Sequence, residues 1–241
     1  SETTRRYGRS RVPAGSTVED WPFGYDELEP YYDKVEWETG VSGKGGNIKG
    51  ALDPRGNVFE GPRQRDYPMP PLRSTGFTDL MAAAARGLGW KPFAGPAQIN
   101  SRTFQERSPC MYHGFCNRGG CHVDAKNGTN ITTIPRARKT GRFSVVTRAH
   151  VITIDVDAKG RVSAVRYVTD GEEYIQPAKV VLLAAYTYEN TRLLLLSKSK
   201  AFPAGLSNNH GQVGRHYFSH AQGGGVTALF PFSLNSWYGL P

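Results

Sequence analysis

The sequence predicts an α/β fold, and three observations carry that prediction. Segments rich in Val, Ile and Thr, separated by turn residues, run from Phe143 to Ala185 and are typical of strands. Helical patterns of apolar residues precede them, at residues 26–39 and 74–88. A continuous apolar stretch, Val180–Ala185, then leads into a helical pattern at residues 192–197, and such strand–turn–helix units build parallel α/β sheets.

The first part of the chain, residues 1–71, is predicted to be a covering or lid segment with one helix. That helix spans Asp26–Thr39, because acidic residues occupy its first turn and Gly40 follows its last residue. Pro30 must then lie near the helix start. Residues 47–71 are rich in Gly and Pro and carry little periodicity, so we expect a long loop with a functional role.

Two short helices are predicted in the middle of the chain. Ser74 can cap a helix that ends near Leu88, where glycines follow. Residues 132–140 fit a second helix, which Gly141 ends.

The later strands should form hairpins and then a buried strand. The sequences AKGR (158–161) and DGEE (170–173) are turn signals between strands. Val180–Ala185 is apolar without alternation, as expected of a strand covered on both faces. Arg192–Ser197 should continue as a helix. This arrangement suits a nucleotide-binding domain, although the usual Gly-rich pyrophosphate fingerprint is absent from the chain.

The sharpest chemical signal is the cysteine loop, residues 107–126. Cys110, Cys116 and Cys121 are the only three cysteines of the chain and fall within twelve consecutive residues. Glycines between them, including Gly119, allow left-handed backbone conformations that can turn several side chains toward one centre. A metal ion or a metal cluster would suit such a loop.

Four interpretations of the cysteines remain open from the residues alone. They can pack as small buried side chains, or form one disulfide beside an odd thiol. They can hold zinc together with His113 or His122, which would indicate a zinc-stabilised basic module that binds RNA, although Ala125 stands where the closing His is expected. They can also hold an iron–sulfur cluster, and three ligands without a fourth suit a three-iron cluster.

Composition and charge describe an ordinary globular protein with a basic surface. Of its 241 residues, 38% are hydrophobic, and the net charge is +9. The basic clusters are scattered and lack an RNA-reading motif, so we expect a solvated basic surface without nucleic-acid binding. No apolar run is long enough for a membrane span, no signal peptide is visible, and the chain looks cut at both ends.

Several segments, in the order found here, strongly resemble the glucose-methanol-choline (GMC) flavoprotein oxidoreductases, particularly the large subunits of gluconate 2-dehydrogenases and sugar dehydrogenases. They are residues 20–43, the cysteine loop, residues 128–151 and residues 180–197. The resemblance implies that residues 72–215 are part of a Rossmann-like FAD-binding domain. Residues 216–241 would begin a substrate-binding sheet.

The same resemblance implies which residues lie near FAD. Val151 corresponds to the strand-end Val whose backbone meets the adenine, and Ala184 and Ala185 correspond to the small residues beside the ADP part. Tyr186 follows where many members have Gly. The covering segment of the family contains a Trp-Pro and a Tyr-Tyr pattern, which are matched at residues 21–22 and 31–32.

The resemblance also implies a 3Fe-4S cluster held by Cys110, Cys116 and Cys121, although the second gap is one residue longer than in related subunits. The implied enzyme oxidises a CH–OH group of a sugar, sugar acid or polyol, and passes electrons through the cluster to a cytochrome c subunit. A small accessory subunit is also expected. The implied location is the periplasm, membrane-associated through partner subunits, with the cytoplasm as the alternative.

Two functional parts of such an enzyme are expected outside these residues. The GxGxxG turn that seats the FAD pyrophosphate should precede residue 1, and the catalytic His with its partner should follow residue 241. His216 and His220 are therefore expected to be structural or surface residues.

Overall fold

The computed structural model of the chain describes residues 4, 7–17, 21–114, 116, 119–217, 219 and 227–234. The chain divides into two compact units, Ser1–Phe143 with Val226–Pro241, and Ser144–Gly225. In chain order the elements are a 3-10 helix (Arg9–Arg11), α1 (Tyr25–Thr39), β1 (Asn47–Ile48), β2 (Ala51–Leu52), α2 (Gly76–Gly87), α3 (Thr133–Lys139), β3 (His150–Val156), β4 (Val162–Thr169), β5 (Glu172–Pro177) and α4 (Thr187–Leu196).

Helix α1 confirms the predicted helix and begins one residue earlier. Gly40 ends it with a left-handed φ of 89°, and the Gly40 N–H donates to the carbonyl of Glu36 at 2.9 Å. Pro30 lies inside the helix, where its missing N–H removes one backbone hydrogen bond. The buried Glu29 carboxylate accepts from the backbone N–H of Gln64 at 2.9 Å, so α1 holds the loop that follows β2.

Helix α2 is present, but its cap differs from the predicted one. Thr75, rather than Ser74, is the N-cap residue, because its hydroxyl accepts from the Thr78 N–H while the Thr78 hydroxyl accepts from the Thr75 N–H. None of the residues of α2 is buried. The predicted third helix is also confirmed as α3, and Gly141 follows it with a φ of 69°.

Strands β3, β4 and β5 form an antiparallel sheet in that order. Both predicted hairpin turns are confirmed. Between β4 and β5 the turn residues Asp170 and Gly171 have φ angles of 50° and 86°, the pattern of a type I′ turn that matches strand twist.

The predicted strand Val180–Ala185 is wrong for the residues that the structure describes. This segment pairs with no described strand, and Val180 and Leu182 are 84% and 88% exposed. Val181 and Leu183 instead pack against the core of the Ser144–Gly225 unit. A strand needs a hydrogen-bonded neighbour, which a single segment cannot supply for itself.

The core of that unit joins β3 to α4. Ile154, Leu193 and Leu206 are its buried members. Ser197, 1% exposed, accepts from the Ile154 N–H at 2.9 Å and donates to the carbonyl of Leu193 at 2.6 Å. Helix α4 begins at Thr187, five residues before the predicted start at Arg192.

The interior of the other unit is unusually polar. Among its most buried side chains are Ser42, Asn100 and Asn127, at 0%, 0% and 1% exposure. The backbone of Ser42 exchanges two hydrogen bonds with Ala97, at 2.8 and 2.9 Å. Hydrogen bonds of polar side chains and of the backbone therefore stabilise this unit, whose apolar core is small.

No helix among the described residues is long and apolar enough to cross a membrane. The predicted start of a substrate-side sheet, residues 216–241, lies mostly outside the described residues, and His220 is among those not described. The boundaries at residues 71 and 215 stay predictions.

Candidate functional site

The cysteine loop is closed at its base by residues that precede it in the sequence. The Cys110 N–H donates to the carbonyl of Asn100, and the Asn100 N–H donates to the carbonyl of Ala125, both at 2.8 Å. Ile99 and Lys126 form an antiparallel bridge beside them. The two ends of the loop therefore meet at one strand-like segment.

The structure brings the three cysteines together. All three cysteines line one small pocket, which encloses about 10 Å³. Cys116 is buried, whereas Cys110 and Cys121 are partly exposed. All three are free thiols, so the disulfide interpretation gains no support.

Backbone N–H groups point at two of the sulfur atoms. The Tyr112 N–H donates to Cys110 Sγ and the Ala125 N–H donates to Cys121 Sγ, each at 3.3 Å. Partial burial raises the pKa of the Cys121 thiol, but hydrogen bonds from the backbone of Val123, Lys126 and Ala125 outweigh it, and the pKa is lowered. A thiolate is the form that binds iron or zinc.

Two imidazoles and one ammonium complete the pocket. The rings of His113 and His122 stack with centroids 5.0 Å apart, and both residues line the pocket. The Lys126 ammonium donates to the carbonyls of Cys116 and Gly119, the second at 3.1 Å. The left-handed turns predicted at the loop glycines are not found at Gly119 or Gly120, and positive φ angles fall instead on Tyr112 and Asp124, 60° and 52°.

The described donor groups do not form a site for a single metal ion. Over the described ranges, no three side chains of His, Cys, Asp or Glu converge closely enough to hold a single metal ion. A three-iron cluster needs less convergence, because each thiolate binds a different iron atom. The described residues thus show three free thiols around one pocket, with backbone N–H groups directed at two of the sulfurs.

The residues that resemblance places near FAD lie in the Ser144–Gly225 unit. Val151 is in β3, half-buried against the core. Ala184 and Ala185 are exposed just before α4, and the Ala185 N–H donates to the Asn190 side-chain oxygen at 2.8 Å. The structure brings these two alanines next to the N-terminus of a helix.

Tyr186 is the N-cap residue of α4 and has an unusual backbone. Its φ of 76° and ψ of 157° belong to a region that is essentially restricted to Gly. Its ring contacts Tyr188 edge-on, with centroids 5.1 Å apart, and Tyr188 shares a hydrogen bond with the Tyr217 hydroxyl at 2.7 Å. A Gly here would relieve this strain, because it has no Cβ.

Sequence reasoning missed the buried asparagines. Asn100 and Asn127 hold the base of the cysteine loop, but neither belongs to a motif, and the Asn127 side chain finds Gly40 87 residues away and Asn100 27 residues away. The His216 imidazole shares a hydrogen bond with the Gln212 side chain at 2.8 Å and is exposed, which gives no indication of a catalytic role.

Comparisons with known proteins point to one enzyme family. Residues 16–222 match the GMC oxidoreductase family. The chain is 32% identical over 222 residues to a gluconate 2-dehydrogenase flavoprotein from Pantoea cypripedii, covering 88% of this chain and 36% of that protein. It is 29% identical over 227 residues to a fructose dehydrogenase large subunit from Gluconobacter japonicus, covering 91% of this chain and 38% of that protein.

A third relative is named for a smaller diol substrate. It is a 2-methyl-1,2-propanediol dehydrogenase from Mycolicibacterium austroafricanum, 28% identical over 218 residues, covering 83% of this chain and 34% of that protein. The chain thus spans little more than a third of the length of these relatives. Since the family match extends over most of the chain, from residue 16 to residue 222, the chain belongs to the GMC oxidoreductase family.

Proposed function

We propose that this chain is part of an FAD-dependent dehydrogenase that oxidises a CH–OH group of a sugar, a sugar acid or another polyol, with a gluconate-type substrate favoured. The family match over residues 16–222 is the observation that carries the proposal. Relatives named for gluconate, fructose and a diol support a polyhydroxylated substrate. The competing prediction, a zinc-stabilised module that binds RNA, receives no support from this family.

The residues proposed to contact FAD are Val151, Ala184, Ala185 and Tyr186. The two alanines are exposed and small, so a ribose or an adenine ring can approach the backbone there. Helix α4 directs its N-terminal dipole toward the same place, which favours a negatively charged neighbour. The proton-accepting His and the pyrophosphate turn are expected outside these residues.

The residues proposed to hold a 3Fe-4S cluster are Cys110, Cys116 and Cys121. Support comes from their shared pocket, from the N–H groups directed at two of the sulfurs, and from the lowered pKa of the Cys121 thiol. When bound, FAD supplies two-electron oxidation of the carbinol, and the cluster supplies one-electron transfer to an acceptor.

The proposed partners follow from this electron path. A cytochrome c subunit would accept the electrons, and a small accessory subunit would accompany it, as in the gluconate-type branch. The proposed location is the periplasm, with membrane association through the partner subunits. Lys126 keeps the loop compact by binding the carbonyls of Cys116 and Gly119, which would shield the proposed cluster from water on that side.

Metal analysis of the purified holo-subunit tests the proposal. We expect FAD together with iron and sulfide in a near three-to-four ratio, as a three-iron cluster requires. The substitution Cys121→Ser should spare flavin reduction by substrate but strongly slow electron transfer to the cytochrome. The matched control is Ser108→Ala, an exposed side chain in the same loop, which should leave both rates unchanged. Stoichiometric zinc without sulfide would refute the cluster.

A further inference from the structure

A buried asparagine lies at the base of the cysteine loop and contacts both ends of it. Asn100 is 0% exposed. Its backbone carbonyl accepts from the Cys110 N–H, and its backbone N–H donates to the carbonyl of Ala125, both at 2.8 Å. Ala125 in turn donates its own N–H to Cys121 Sγ at 3.3 Å. One residue thus connects the two partly exposed thiols.

The side chain of Asn100 strengthens this connection. Its amide NH2 donates to the carbonyls of Arg107 and Ser108, at 3.3 and 3.2 Å, and only Pro109 separates these residues from Cys110. Its side-chain oxygen accepts from the Asn127 amide at 2.8 Å. Both donors and the acceptor are therefore used, and a side chain of another type cannot reproduce all three bonds.

Asn127 anchors the same base to the rest of the unit. Its amide also donates to the carbonyl of Gly40 at the end of α1, and its side-chain oxygen accepts from Arg107. Its backbone N–H donates to the carbonyl of Gln98 at 2.8 Å. Asn127 is 1% exposed, so water does not compete for these bonds.

We propose that Asn100 is a positioning residue that fixes the relative placement of the Cys110 and Cys121 thiols. This role in the enzyme depends on the proposed cluster, because thiolates must be held at set distances from one another to bind several iron atoms. A loop of this length would otherwise sample many arrangements of its thiols. The placement itself is a property of the protein and can be measured without metal.

The test compares Asn100→Asp with Asn130→Asp in the holo-subunit. The first change keeps the shape of the side chain but replaces the two N–H donors with an acceptor facing two carbonyls. The second makes the same change at an exposed position. We expect Asn100→Asp to retain FAD but to lose cluster iron and to shift the reduction potential of the iron that remains. Asn130→Asp should match the parent.

A second readout needs no cluster. In metal-free protein, alkylation of Cys110 and Cys121 by iodoacetamide, followed by peptide mass spectrometry, should be faster in Asn100→Asp by on the order of tenfold, since looser anchoring increases local opening. Equal alkylation rates and an equal potential in Asn100→Asp and the parent would overturn the proposal.

If Asn100→Asp does not fold, hydrogen exchange on the unsubstituted protein tests the role proposed for Asn100. The Asn100 and Cys110 amides should then exchange much more slowly than the exposed amide of Gly120. Exchange at similar rates would overturn the proposal. A parent that holds FAD but no iron would refute the cluster alone, because the alkylation and exchange results still report on Asn100.

Discussion

Two arginines, two residues apart, hold the loop after β2 against α1, and burial should make their contributions to stability very different. The Arg63 side chain is 6% exposed and pairs with Glu36, whose side chain is 19% exposed. The Arg65 side chain is 49% exposed and pairs with Asp33 at 2.7 Å. Each guanidinium also lies over an aromatic ring, about equally close, at 4.0 and 3.9 Å from the ring centroids.

Arg63→Met removes the cation but leaves the Glu36 carboxylate largely buried. Breaking a buried pair by removing one partner costs about 3–5 kcal/mol, and the partial exposure of Glu36 favours the lower end, about 3 kcal/mol. Arg65→Met removes a half-exposed cation and leaves Asp33, 17% exposed, without this partner. Because water reaches the Arg65 guanidinium and weakens its ion pair and ring contact, we expect a clearly smaller loss of stability for Arg65→Met than for Arg63→Met.

Urea unfolding of the holo-subunit, followed by tryptophan fluorescence and by release of FAD, measures both free energies. Adding Glu36→Gln to Arg63→Met should recover part of the loss, because the uncompensated charge is then removed. A loss for Arg63→Met no larger than that for Arg65→Met would refute the reasoning from burial.

Four further outcomes are expected. Partial burial raises the pKa of Asp66, but hydrogen bonds from Lys44 and from two backbone N–H groups outweigh this effect and lower the pKa. Asp66→Asn should therefore destabilise the protein at pH 7. In urea titrations this loss of stability should vanish as the pH falls below about 4 and through the lowered pKa. An equal loss of stability at pH 7 and at a pH below the lowered pKa would contradict this. Ser197→Ala should cost about 1–3 kcal/mol in equilibrium unfolding, since it leaves the buried Ile154 N–H without its acceptor. Tyr186→Gly should raise stability by about 1 kcal/mol in thermal melts by relieving backbone strain, and a lower melting temperature would argue against that strain. RNA binding should fade as salt approaches physiological strength in a filter-binding series, whereas salt-insensitive binding would point to specific recognition.

The elements that could be predicted from the sequence are those with local signals. The end of α1 at Gly40 and the hairpin at Asp170 and Gly171 were both predictable, because backbone sterics at one or two residues decide them. The convergence of the three cysteines on one pocket was also predictable, since they occur within twelve consecutive residues. Resemblance to GMC oxidoreductases then pointed to the family that the comparisons established.

Tertiary structure alone decided which distant residues support these elements. Asn127 reaches Gly40, 87 residues away, and Arg63 reaches Glu36, 27 residues away. The exposure of Val180 and Leu182 depends likewise on which other elements the folded chain places beside residues 180–185. Such contacts have no sequence signature, because a side chain's partner is fixed by the path of the folded backbone rather than by spacing along it.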